Sequence, residues 1–382
     1  MMNKLLILFI SLLPLYAFAQ IGEPTLITQL DILTDETSGL ILHNNELWTH
    51  NDSGGESKLY SIDTTNGSVI RTVEILNAEN NDWEDICKDD NYAYIGDFGN
   101  NSGARDDLKI YRISINDLEN LSLESINSDV INFSYDPEIY PGIFTTRNNT
   151  NFDCEAIIAY GDSLYLFSKN WIDKKSYLYA IPKTPGTYIA HLKDTLNTNG
   201  LICGADFYQE NNTVALIGYQ YGIPAPSILI LLSEFEEDNF FSGTIIRKEL
   251  SLDGCQTEGV VFKEKNKIWI SNENFLSYDQ SLFSIDIQSQ NIESSESNPL
   301  SCNIFPNPAK EKIKVNFPCN NKKCKVIVKI YSDKGELLIY KKAIVNNNQI
   351  IKDIDISRLK AGSYILQVFE KKLYFQTTFI KL

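Results

Sequence analysis

Five segments between residues 36 and 286 repeat one plan, and that repetition constrains the fold more than any other feature of the chain. Each segment opens with a short apolar stretch behind a polar or acidic residue. A turn follows, then a second stretch ending in polar residues, then an apolar one rich in Tyr, Leu and Ile. The first unit comprises 36–40, 46–52 and 59–63, and the second 82–86, 94–101 and 108–113. The third comprises 153–157, 164–170 and 177–181, the fourth 203–207, 214–220 and 228–231, and the fifth 257–261, 268–273 and 282–286. The stretches are short, alternating or wholly apolar, and rich in β-branched and aromatic residues, which marks strands. Gly, Asn and Asp punctuate them, as turns require. No long segment carries a helical period.

Repeats of about 50 residues, each with three or four strands, are the sequence sign of a β-propeller. A fourth, outer strand is visible at 69–76, 130–135, 187–192 and 243–250. The fifth repeat lacks one before residue 294, and residues 24–32 supply a strand from the other end of the chain. Exchanging that strand closes the ring and removes exposed edges. The expectation is an all-β chain: a five-bladed β-propeller over residues 20–288, then a small C-terminal β-sandwich. Six blades is the alternative, because residues 135–150 are long enough to hold an irregular unit.

Charge divides the chain at the same place. Residues 20–300 carry 17 basic and 44 acidic side chains, and residues 301–382 carry 16 basic and 6 acidic. The first part is therefore −27 and the second +10, which reads as two modules with different tasks. The acidic module repels nucleic acid and anionic membrane and attracts divalent cations. Residues 1–19 hold one lysine, Lys4, then an apolar run and Ala17-Phe18-Ala19, the pattern of a cleaved secretory signal. No later stretch is long and apolar enough to span a bilayer. Export permits disulfides. The seven cysteines are odd in number, so at least one is unpaired or pairs between chains; Cys319 and Cys324 flank a short turn and are placed to close a hairpin. The absence of a CxxC pair argues against zinc.

In a propeller the first strand of each blade lines the central channel, and its start shares a face with the end of the second strand. Acidic residues collect at those two places. Strand starts give Glu36, Asp82, Glu84, Asp153, Glu155 and Glu258, with Asp206 shifted within its strand; second-strand ends give His50, Asn51, Asp52, Asp97, Asn100, Asn101, Lys169, Asn170, Asn272 and Glu273. Crowded carboxylates repel one another and are costly to desolvate without a partner. A hard cation resolves both problems, and an oxygen set of variable number suits calcium. The expected calcium ligands are Glu36, Glu84, Asp97, Glu155, Asp206 and Glu258. Asn51, Asp52, Asn100, Lys169, Asn170, Asn272 and Glu273 form the expected ligand rim. For any one of these acids, turn capping is the simpler role. His50 is the one histidine on this rim and the candidate general base. No G-x-S-x-G, H-E-x-x-H or phosphate-loop motif is present. Trp83, Trp171, Tyr219 and Tyr221 suit stacking on a sugar or base, or else packing between blades.

The tail resembles the C-terminal sorting domain of the Bacteroidetes type IX secretion system. The likeness is carried by Phe305-Pro306-Asn307-Pro308, Asp333-Lys334-Gly335-Glu336-Leu337, Ile354-Asp355-Ile356-Ser357-Arg358-Leu359, Ala361-Gly362-Ser363-Tyr364 and Phe379-Ile380-Lys381-Leu382. It implies a β-sandwich over 303–382 that engages the type IX machinery, directs export to the cell surface or medium and is often removed there. The polar stretch 289–302 then reads as a linker. The body resembles secreted propellers of the SdiA-regulated and phytase-like, esterase-like type, through 36–40, Asp82-Trp83-Glu84-Asp85-Ile86, Asp153-Cys154-Glu155-Ala156-Ile157 and Glu258-Gly259-Val260. It is similar, more distantly, to gluconolactonase-type propellers with an axial calcium. The functional expectation is an extracellular binding or scaffold module for a small-molecule, glycan or protein ligand. The alternative is a calcium-dependent hydrolase of phosphoesters or lactones.

Overall fold

The computed structural model describes residues 19–140, 146–222, 225–275, 278–289, 303–316, 324–332, 337–345, 350–370 and 373–382. The leader at 1–18, most of the linker, and Cys302 and Cys319 lie outside the described residues, and the expected hairpin disulfide with them; the expected mature start near Gln20 falls in a short strand, Ala19–Ile21, that pairs with residues 287–289. The chain is nearly all β and divides into two compact units, Met1–Asn291 and Ile292–Leu382.

The first unit is built from antiparallel meanders. The first sheet runs Thr37–His43, Glu46–Asn51, Lys58–Ile62 and Val69–Leu76. The second runs Trp83–Lys88, Tyr92–Asp97, Lys109–Ser114 and Asp129–Tyr135. The third runs Cys154–Tyr160, Ser163–Ser168, Ser176–Pro182 and Gly186–Leu196. The fourth runs Leu201–Tyr208, Thr213–Tyr219, Pro226–Ser233 and Thr244–Asp253. The fifth runs Thr257–Glu264, Lys267–Asn272 and Ser281–Ser289, and Thr25–Gln29 pairs antiparallel with the last of these. The second and third sheets also join along their outer edges, where Asp129–Tyr135 runs parallel to Gly186–Leu196.

The innermost strands touch in cyclic order, first to second and on to the fifth, which touches the first. Apolar alternation on both faces of each sheet explains the arrangement, because every sheet must bury two faces. Ile41, Trp48 and Leu59 of the first sheet pack on Trp83, Ile86 and Ile95 of the second. Similar layers separate the second sheet from the third, the third from the fourth and the fourth from the fifth. Leu40, Leu47 and Tyr60 close the ring against Val261, Trp269 and Leu282 of the fifth sheet. Trp83 is therefore core.

In the second unit, Asn303–Phe305, Lys312–Asn316 and Ile350–Asp355 form one antiparallel sheet. Leu337–Val345, Cys324–Ser332, Gly362–Glu370 and Leu373–Lys381 form another. The two share a core that includes Ile313, Val315, Val328, Ile330, Ile354, Leu366 and Val368.

Candidate functional site: an acidic ring on the axis

Each of the five innermost strands carries a register shift against its neighbour at the same place, and the fifth carries a second one further along, between Phe262 and Glu264. The matched shifts lie between Thr37 and Leu40, Trp83 and Asp85, Cys154 and Ala156, Ile202 and Gly204, and Thr257 and Gly259. An extra residue in a strand re-aims its side chain and breaks the alternation locally. The residues inserted in this way are Glu84, Glu155, Cys203 and Glu258, with Ser38 at the matching place in the first strand. The next level inward is Gly39, Asp85, Ala156, Gly204 and Gly259. Those residues are small because the strands converge there: a methyl group on Gly204 would lie 2.2 Å from the Glu258 carbonyl oxygen. The one larger side chain, Asp85, fills the gap. Its Oδ2 accepts from the Ile157 and Ala205 amides at 2.9 and 3.1 Å, and its Oδ1 from Ile86 at 2.9 Å. One carboxylate thus stitches three sheets together.

Above this level the acids meet. Carboxylate oxygens of Asp52, Asp82 and Glu84 lie within 4.8 Å of one another, as do those of Glu84, Asp153 and Glu155. Glu155, Cys203 and Glu258 form a third such group. Lys169 enters this third group: its Nζ is 3.1 Å from Glu155 Oε2. Among the described residues no other ion pair reaches the seven acids Asp52, Asp82, Glu84, Asp153, Glu155, Glu258 and Glu273. Asp153 is braced by the Asn100 amide at 2.5 Å and by Trp171 Nε1 at 2.6 Å. The chain passes close at Gly99, where a methyl group would sit 1.9 Å from Glu84 Oε1 and 2.5 Å from Asp82 Oδ2.

Titration follows from burial and like charge. Burial, then the neighbouring Asp82 and Glu258, pushes Asp52 up to about 7. Burial, then Asp153, pushes Asp82 up to about 6, and burial, then Glu258, pushes Glu273 up to about 8. Glu84 and Glu155 are raised well above the usual carboxylate range, chiefly by burial. Burial depresses the Lys169 ammonium, but Cys203, Glu155 and Glu258 more than offset that, and its pKa is raised. Lys169 is thus the internal counter-ion of the Glu155–Cys203–Glu258 group. The Asp52–Asp82–Glu84 group has no cation of its own.

The structure brings Glu84, Glu155 and Glu258 together, with Asp52, Lys169 and Glu273 beside them. It places the other expected ligands elsewhere. Asp97 pairs with Arg105 at 2.9 Å. Asp206 lies at the far end of the inner strands, beside a separate cavity of about 670 Å³, and accepts from the Phe262 amide at 2.7 Å. Glu36 is outside the three groups; burial, then Asp35, raises its pKa. His50 is fully buried, with its ring 5.7 Å from that of Trp83 and its pKa lowered to about 4 by burial. It is neutral and sealed from solvent. Asn51, Asn100, Asn170 and Asn272 hold turns: the first reaches the Leu33 carbonyl, the second accepts from the Arg105 amide, the third bonds Asp173 and the fourth bonds the Glu273 and Asp279 carbonyls. Cys203 and Asp85 were not expected in the site. Their signal was the residue before, or at, the small position of each repeat, where Glu84-Asp85, Glu155-Ala156, Cys203-Gly204 and Glu258-Gly259 align.

These features define a nearly all-β protein with a buried acidic centre. Residues 303–381 match the family model of the secretion system C-terminal sorting domain. That domain marks the chain for type IX secretion, to the cell surface or the extracellular space, and for contact with the secretion machinery. No curated protein matches the chain. Among solved structures it is similar to an exo-β-1,3-galactanase from Phanerochaete chrysosporium, at 10% identity over 94% of this chain and 100% of that one, with a TM-score of 0.43. A putative 6-phosphogluconolactonase from Bacteroides uniformis aligns at 12% identity over 82% and 86%, TM-score 0.32. The periplasmic gluconolactonase of Pseudomonas aeruginosa aligns at 10% identity over 83% and 88%, TM-score 0.28. At these scores the likenesses carry no argument about activity.

Proposed function

We propose that the first unit is a five-bladed propeller acting as an extracellular binding module, with a calcium ion held at the Asp52–Asp82–Glu84 group. The supporting observation is the mismatch of charge: seven acids share one end of the axis, and Lys169 neutralises only one side of it. An oxygen-only donor set with two half-exposed members fits a hard cation of flexible coordination. Asp153 adjoins the set through Glu84 from the neighbouring group, and Gly99, with no side chain, lets the backbone pass close beside Glu84 and Asp82. In this reading the ion orders the rim and presents a charge-balanced face to a ligand. Resemblance of the strand-start motifs to SdiA-regulated and phytase-like propellers agrees with that placement. Calorimetric titration of the purified chain with calcium tests it: a single site is expected, lost in Glu84→Gln and retained in Asp97→Asn. Equal binding by Glu84→Gln would contradict the assignment.

Glu273 favours a second reading, a calcium-dependent hydrolase, because a carboxyl with a pKa of about 8 beside the ion site can move a proton at neutral pH. Turnover of phosphoester or lactone substrates that vanishes in Glu273→Gln while calcium binding persists would support it; no turnover with calcium bound would dismiss it.

A further inference from the structure

Beside the acidic ring lies a cavity of about 660 Å³. Trp171, Tyr219, Tyr221 and Phe275 wall it, with Asn148, Gln220, Asp253 and Gln256 among its polar lining. That volume suits a ligand of one or two sugar rings. The cavity and the ring share parts. Trp171 Nε1 donates to Asp153, Lys169 Nζ stands 5.4 Å from the centroid of Tyr219, and Gln256 Nε2 donates to Glu273. Tyr221 is 68% exposed at the mouth, 6.1 Å from Trp171 and at 88° to it. An aromatic side chain this exposed contributes little to the core; it presents a face to whatever enters.

Charge selects the occupant. A polyanion meets a body of net charge −27 and the carboxylates at the cavity edge. A cationic ligand seeks aromatic faces, but ammonium groups already occupy them: Lys174 Nζ is 4.2 Å from the Tyr221 ring and Lys169 Nζ 5.3 Å from that of Trp171. A neutral ligand suffers neither penalty. Asn148, Gln220, Asp253 and Gln256 supply the polar groups of the lining. Gln220 gives one N–H to Glu249 at 2.5 Å and Gln256 gives one to Glu273, so each amide keeps a second N–H and a carbonyl oxygen for a hydroxyl group. Lys174 lies over one face of Tyr221; the exposed remainder of that ring, beside the lining amides, matches a pyranose.

We propose that this cavity binds a neutral sugar residue of an extracellular glycan. The proposal deepens the reading of this face as a ligand-binding face, but it does not require the cation. The test is calorimetry and tryptophan fluorescence on the full exported chain. The probes are neutral gluco-, galacto-, manno- and xylo-oligosaccharides, with an oligouronate and a glucosamine oligomer as charge controls. Saturable binding of a neutral oligosaccharide is expected, weakened about tenfold or more by Tyr221→Ala, the loss of one stacking ring. Melting of that exposed-site variant should match the parent. Binding should persist in chelator. Failure of every neutral probe at tens of millimolar would overturn the proposal. So would stronger binding of the uronate or the amine, or neutral-sugar binding indifferent to both Tyr221→Ala and Trp171→Phe. A calcium titration in the same preparation separates the two claims. Sugar binding without calcium binding sinks the cation alone, and calcium binding without sugar binding sinks the sugar alone.

Discussion

Asp52, Asp82 and Glu273 hold protons in the folded chain that they release on unfolding, since their carboxyls titrate near 7, 6 and 8 against about 4 in an unfolded chain. Their raised values stabilise the fold fully below pH 4, and that contribution is lost as pH rises through about 6 to 8. In chelator the melting temperature is therefore expected to fall between pH 5 and 8, and saturating calcium to flatten the fall. A profile identical with and without calcium would argue against a shared ion. Gly99→Ala is the complementary probe, because its methyl group would strike Glu84 and Asp82. Calcium affinity measured by calorimetry should drop at least tenfold while the sheets, followed by circular dichroism, stay intact. At this scale the sequence showed the acids but not their partners. Glu84, Glu155 and Glu258 were legible because acid precedes strand in three repeats. That Asp97 would be claimed by Arg105, eight residues on, depended on how the loop after it folds back, and that His50 would face Trp83 depended on packing between the first and second sheets; no strand pattern carries either.

The inner strands show why five ordinary meanders make a site. Their matched register shifts turn one residue per strand toward the axis, and the small residues that follow let the backbones close in. Asp85 is the price of the one large side chain at that level, and it is offset by three amide bonds. Asp85→Ala leaves those amides without an acceptor at a cost of roughly 1–3 kcal/mol each. A fall in melting temperature of about 6 °C or more is expected, even where solvent relieves part of the cost. A fall below about 2 °C would show that the stitch is not structural. The strands themselves were readable from alternation and turn residues. The shifts were not, because an inserted residue leaves the apolar pattern on either side unchanged; only aligning the five repeats on Gly39, Asp85, Ala156, Gly204 and Gly259 exposes it.

The whole molecule separates its tasks by charge and by unit. The basic sorting domain serves export, and the acidic unit carries the candidate site. In the sequence, composition changes sharply near residue 300 and the terminal motifs are ordered and specific. The ligand was less legible, since it depends on which side chains from distant repeats share a cavity. The most direct measurement of the ion site is a melting curve of the purified chain at pH 7.5, in chelator and then in millimolar calcium. A site filled at about 100 times its dissociation constant adds roughly 2.7 kcal/mol. For a domain of this size that is a rise of about 5–10 °C. The rise should disappear in Glu84→Gln and survive in Asp206→Asn. Identical curves in chelator and calcium would mean that protons and Lys169 alone balance the acidic ring, and the central claim would be wrong.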